Sequence, residues 1–173
     1  DKRELHSISG FPRSIRSDAI LVRSTDGGRT WEAPRAIFRP QANQFGIGHQ
    51  IVVLSDGTLV DSFMLFHGSG SNKKGQEVAV MISRDKGATW TAPIRVAKAM
   101  PGFISDPEDG TPVRTGDIIP DIAAGPNRSV YIVWQEATLA PSGSAIAMAK
   151  STDGGLTWSA PVRVNTVPTT QAF

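Results

Sequence analysis

Apolar residues in this chain fall in short runs rich in Val, Ile, Ala and Phe, and turn residues separate the runs. That is the pattern of β-strands joined by tight turns. Residues 48–54 read as a strand, followed by the turn Ser55-Asp56-Gly57-Thr58 and a second strand over 59–66. A loop spans 67–75, then come a third strand over 77–82 and a fourth over 92–97. The order recurs further on. A first strand over 119–124 leads through Gly125-Pro126-Asn127-Arg128 to a second over 130–135. A loop over 137–143, a third strand over 144–150 and a fourth over 160–164 complete that unit. Before residue 40 only the later part of such a unit is legible, from a strand over 19–22 onward. Short turns between consecutive strands make each unit an antiparallel meander.

One eleven-residue segment occurs three times. It begins at Ser24, Ser83 and Ser151, 59 and then 68 residues apart, and its frame is S-x-D-x-G-x-T-W-x-A-P. The fixed residues are Ser24, Asp26, Gly28, Thr30 and Trp31 in the first copy, and Ser83, Asp85, Gly87, Thr89 and Trp90 in the second. Ser151, Asp153, Gly155, Thr157 and Trp158 hold the same places in the third. Each copy sits between the third and fourth strand of its unit, so it is a hairpin turn. The residue types suit that task. An Asp carboxylate accepts bonds from backbone N–H groups of its own turn. The Gly supplies a left-handed backbone position. Ser and Thr hydroxyls close local bonds. The Trp is expected beneath the turn, and the Pro falls on an outer strand that tolerates a missing N–H.

The frame resembles the Asp box, or bacterial neuraminidase repeat, and Thr157 to Val162 looks most like its sialidase form. The resemblance implies an all-β fold, a β-propeller of four-stranded antiparallel blades with the innermost strand first. About two and a half blades fit the chain. Residues 1–40 are the outer half of one blade, 41–98 and 99–168 are full blades, and 169–173 begin the next connection. Propellers have about 4–8 blades. The chain is therefore expected to be a fragment of a propeller, six-bladed by resemblance. The remaining blades come from a longer chain or from an oligomer. The start Asp1-Lys2-Arg3-Glu4 is charged and lacks Met, which predicts a processed or truncated chain. The family resemblance favours a secreted or periplasmic location.

The meander also orients the blades. First-to-second turns and the repeat turns lie at one end. The longer segments 39–47, 67–75, 98–118 and 137–143 lie at the other, where function is expected. The starts of the inner strands there carry His49, Arg114, Asp117 and Asp121, and the ends of second strands carry His67 and Glu136. By resemblance to sialidases, the substrate is a glycan with terminal sialic acid, hydrolysed with retention through a tyrosyl intermediate. Three arginines hold the substrate carboxylate there, an Asp serves as acid/base, and a Glu assists the Tyr. Arg114 then becomes a carboxylate-binding candidate, since its planar fork suits that group. Asp117 and Glu136 are the candidate catalytic acids, with His49, His67 and Asp121 as substrate-binding candidates. Plainer roles are open to all six: salt bridges, turn caps and local hydrogen bonds. The chain departs from the sialidase pattern in two places. Tyr131, its one tyrosine, starts a second strand at the turn end, and Phe11-Pro12-Arg13 does not reproduce the Arg-Ile-Pro motif. Two other readings stand beside the sialidase: a non-catalytic propeller that binds a glycan or protein, and a different glycoside hydrolase on the same scaffold.

Composition narrows the picture further. The 173 residues carry a net charge of only +2, and no basic run is longer than two residues, as at Lys73-Lys74. Nucleic acid is not an expected partner. With no cysteine, disulfides and Cys-based metal sites are excluded. No apolar stretch reaches the roughly 18 residues of a membrane-spanning helix. The acidic loop Asp106-Pro107-Glu108-Asp109-Gly110 offers hard oxygen ligands that could help hold Ca²⁺. Its spacing is not that of a calcium loop, and no other cofactor is expected.

Overall fold

The computed structural model describes residues 16–68, 75–100, 102, 104–106, 108–113, 116, 118–140 and 144–166. Ten strands form three antiparallel sheets. The first pairs β1 (Ala19–Leu21) with β2 (Arg35–Phe38). The second runs in order through β3 (Gln44–Val53), β4 (Leu59–His67), β5 (Gly75–Ser83) and β6 (Ile94–Ala99). The third repeats the meander with β7 (Asp121–Ala124), β8 (Val130–Glu136), β9 (Ala145–Ser151) and β10 (Val162–Arg163). The expected units are present, with strand ends displaced by a few residues. The largest displacement is β3, which begins four residues before residue 48.

The sheets pack face to face through their alternating apolar residues. Val60, Met64, Val78 and Val80 of the second sheet meet Ile122, Val130, Ile132, Trp134, Ala147 and Ala149 of the third. The other face of the second sheet places Phe63, Leu65, Ala79 and Met81 against Ile37, Phe38 and Trp90. Period-two alternation along β4 thus feeds two cores at once. That explains why its run from Val60 to Leu65 is buried throughout.

One irregularity redirects a side chain. In β3, Ile47 opposes Met64 and Gln50 opposes Ser62, so Gly48 and His49 together face the single residue Phe63. This is a β-bulge, and Gly48 takes a φ of 70° there. Without the extra residue, alternation would turn His49 toward the Met64 face, into the apolar core. With it, the His49 ring stacks on Phe63 with centroids 4.5 Å apart.

All three repeat turns fold alike. The Ser hydroxyl donates to the Asp carboxylate at 2.8–2.9 Å and accepts from the backbone N–H four residues on at 2.8 Å. The Asp also accepts the Thr backbone N–H at 2.8–3.0 Å and the Thr hydroxyl at 2.5–2.6 Å. Gly28, Gly87 and Gly155 have φ of 86°, 82° and 93°. The residue before each is left-handed too, and in the second copy it is Lys86 at 58°.

The tryptophans differ, which corrects the expectation of three equivalent rings. Trp90 and Trp158 are half-buried against the cores and donate to Gly87 O and Gly155 O. Trp31 is 63% exposed. The cause is the neighbouring sheet. Gly87 lies against Leu21 of the first sheet, and Gly155 against Val60 and Ile82 of the second. Among the described residues no sheet precedes β1 to receive the first turn.

Two outcomes follow for urea unfolding. Trp90→Ala should lower stability by about 2 kcal/mol, less than a fully buried Trp, and Trp31→Ala by under about 0.5 kcal/mol. Equal losses would contradict the packing. The second outcome concerns pH. Thr, Ser and backbone hydrogen bonds hold Asp26 and Asp85 at a pKa of about 2, against an ordinary 3.8. At Asp153 burial opposes this, yet the same bonds bring it to about 2. Depressed carboxyls stabilise the fold fully above the ordinary value, and the gain is lost as pH falls through the folded value. Stability should therefore decline between pH 3.8 and about 2. Replacing all three aspartates by Asn should flatten that decline.

Candidate functional site

The repeat turns and the two short inner turns meet at one end of the sheets. Leu59 pairs with both Val53 and Ser83, and Val130 pairs with both Ala124 and Ser151. Arginines fasten this end across sheets. Arg35 of the first sheet donates to the Gly87 and Ala88 carbonyls, and Arg23 to that of Lys86. Arg128 pairs with Asp56 of the preceding sheet at 3.0 Å. Asn127 and Arg128 both have positive φ, of 55° and 61°. A two-residue turn of that kind matches the twist of a hairpin. Asp26, Asp85 and Asp153 thus each accept three or four hydrogen bonds from their own turns.

The opposite end holds a cavity of about 370 Å³ between the second and third sheets. His67, Gln76, Glu77, Lys98, Met100 and Glu136 are among its lining residues. The His67 ring is engaged on both nitrogens, by Gln44 at 2.9 Å and Glu77 at 3.3 Å. Glu136 is 3% exposed. Its Oε2 accepts from Trp134 Nε1 and the Met100 backbone N–H, and its Oε1 from the Thr138 N–H and hydroxyl. Three of these bonds are local to β8 and the turn after it, and the Met100 N–H ties β8 to the segment after β6. The carboxylate lies at the rim of the cavity with both oxygens engaged.

Closer to the inner strands, His49 Nδ1 lies 2.8 Å from Asp61 Oδ2. Asp61 is fully buried in β4, while the His49 side chain is 27% exposed. Burial raises the Asp61 pKa, and the hydrogen bond and charge of His49 pull it back. Sequence reading missed Asp61. Its signal was a lone acid inside the apolar run of β4. Asp121 opens β7 and caps the next backbone N–H, that of Ile122, at 2.9 Å. The inner strands adjoin, since Gly48 lies against Ile119. Arg114 and Asp117 lie outside the described residues.

Asp106 and Asp109 of the acidic loop each accept a backbone N–H, from Glu108 and Thr111, at 2.8 Å. Among the described residues no group of three metal-ligating side chains comes together. No helix of the described residues is long and apolar enough to cross a membrane.

Comparison with known proteins follows the same lines. The profile of the BNR repeat-like domain family matches residues 7–172. No curated protein matches the sequence. Among solved structures, a protein of unknown function from Dyadobacter fermentans aligns with a TM-score of 0.54 and 21% identity over 84% of this chain and 44% of its own. A structure of NanB with Optactamide aligns at 0.50 and 18% identity, over 87% of this chain and 19% of its own. An intramolecular trans-sialidase from Ruminococcus gnavus overlaps at 0.49 and 24% identity, over 86% of this chain and 27% of its own. The chain therefore spans less than half the length of each of these structures.

The geometry makes Glu136 a structural carboxylate, and this can be measured. Glu136→Gln puts an amide N–H₂ opposite donors and removes charge-assisted bonds. Stability in urea should fall by about 2 kcal/mol. An unchanged midpoint would show that the anchoring bonds contribute little.

Proposed function

Because this chain belongs to the BNR repeat-like domain family, we propose that its sheets are consecutive blades of a larger, six-bladed propeller that hydrolyses terminal sialic acid from glycans. The supporting observation is the division between the two ends of the sheets. One end is consumed by saturated turns and cross-sheet arginines. The other carries a cavity and long connections. Glycan binds at that second end, near the inner strands. Arg114 takes the substrate carboxylate and Asp117 is the acid/base. The nucleophilic tyrosine and further arginines belong to other blades. His49 and Asp121 stand beside the ligand on the inner strands, and His67 lines the outer cavity.

A second reading, a propeller that binds glycan without cleaving it, is favoured by two observations. Glu136 is spent on four internal donors. Tyr131 sits at the turn end with the Lys150 ammonium 5.3 Å from its ring centroid.

Turnover of a fluorogenic sialoside by the full-length protein separates the two. The hydrolase reading expects turnover that Arg114→Ala with Asp117→Asn lowers at least about 100-fold. Binding of 3′-sialyllactose with no turnover supports the second reading. Turnover untouched by the double substitution contradicts the site assignment.

A further inference from the structure

The pairing of His49 with Asp61 is unexplained by the packing of the sheets. Three independent features build it. The bulge at Gly48 and His49 turns the ring from the Met64 face of the sheet to the Phe63 face. Gly46 leaves room for it, since a Cβ there would lie 2.8 Å from His49 Nε2. Asp61, with no exposed surface, meets Nδ1 at 2.8 Å, while its other oxygen is buried without a hydrogen-bond partner. Burying a carboxylate in this way is costly. A structural role would be met more cheaply by an apolar residue in the same place.

The chemistry of the pair is specific. A carboxylate on Nδ1 fixes the proton there, so the neutral ring presents an Nε2 lone pair. Stacking on Phe63 holds the ring plane. The result is a rigid, oriented acceptor midway along the innermost strand, with Nε2 toward Gly46. Its natural complement is a hydroxyl donor, and saccharides carry many.

We propose that His49 Nε2 is a ligand contact that accepts a hydrogen bond from a saccharide hydroxyl, and that Asp61 is the positioning residue that fixes its tautomer. This rests on the glycan reading above and assigns that site one contact and its support. Asp61 touches no ligand and acts through His49 alone.

The experiment is ¹⁵N NMR of the histidine rings in the full-length protein, titrated with 3′-sialyllactose and paired with calorimetric affinity. The His49 signals are assigned by their loss in His49→Gln. In the wild type, Nδ1 carries the proton and the Nε2 resonance moves on saccharide addition. Gly46→Ala places a methyl against Nε2 and displaces the ring from its resting position. Affinity should fall about tenfold, the worth of one hydrogen bond. Asp61→Asn can donate to Nδ1 and so shift the proton to Nε2. A similar loss is expected, together with an exchanged pair of ring ¹⁵N shifts, which a merely structural role would not couple to affinity.

Saccharide binding with an unmoved Nε2 resonance and wild-type affinity in both variants overturns the proposal while leaving the glycan reading intact. Should Gly46→Ala fail to fold, the response of Nε2 in the wild type decides the matter. Absence of both 3′-sialyllactose binding and sialoside turnover in the wild type overturns the glycan reading, and this inference with it.

Discussion

The carboxylate of the repeat turn is the constraint on which the rest of the structure depends. A hairpin that carries two successive left-handed residues leaves several backbone N–H groups pointing into the turn. Asp26, Asp85 and Asp153 each collect a Thr N–H and two hydroxyls. An ionised acceptor makes such bonds stronger than neutral ones. The turn is thereby a rigid object that can be pressed against the neighbouring sheet. Gly155 lies against Val60 and Ile82, with a φ of 93° that L side chains rarely adopt. Trp158 then closes on the core between those sheets. A local network becomes a device for stacking one sheet on the next.

That use of one end sets it apart from the other. Cross-sheet arginines and saturated carboxylates stiffen the turn end and fill its polar valences. At the opposite end the strands finish in longer connections, and polar side chains gather around a cavity between the sheets. Even there, most polar groups are engaged with one another. Glu136 and His67 are held on every available atom. The His49 ring differs in being braced by a buried group on one side and partly open on the other.

Much of this was legible in the sequence, for a physical reason. The bonds of the repeat turn join residues two to four apart, so the frame S-x-D-x-G-x-T-W states them almost outright. Strand order and turn placement followed from the same frame. Contacts between distant residues were not legible. Nothing near Arg23 or Arg35 announces that they meet carbonyls some fifty to sixty residues away. The three tryptophans look alike in sequence, yet Trp31 stands exposed because burial is supplied by the neighbouring sheet and not by the turn. The bulge at Gly48 and His49 hid the partnership with Asp61. Strict alternation sends His49 to the wrong face. Glu136 drew attention as a free acid because nothing in the sequence announces that Trp134, Thr138 and the distant Met100 turn their donors onto one carboxylate.

The sheets divide into an end of hydrogen-bonded turns and an end that holds the cavity, where we propose that glycan binds. Hydrogen–deuterium exchange of the full-length protein, with and without 3′-sialyllactose, measures that division directly. Ligand should slow exchange along the start of β3, at the β6 end and before β7. The turns at residues 24–31, 83–90 and 151–158 should stay unchanged. Protection centred on those turns, with none at the start of β3, would contradict it.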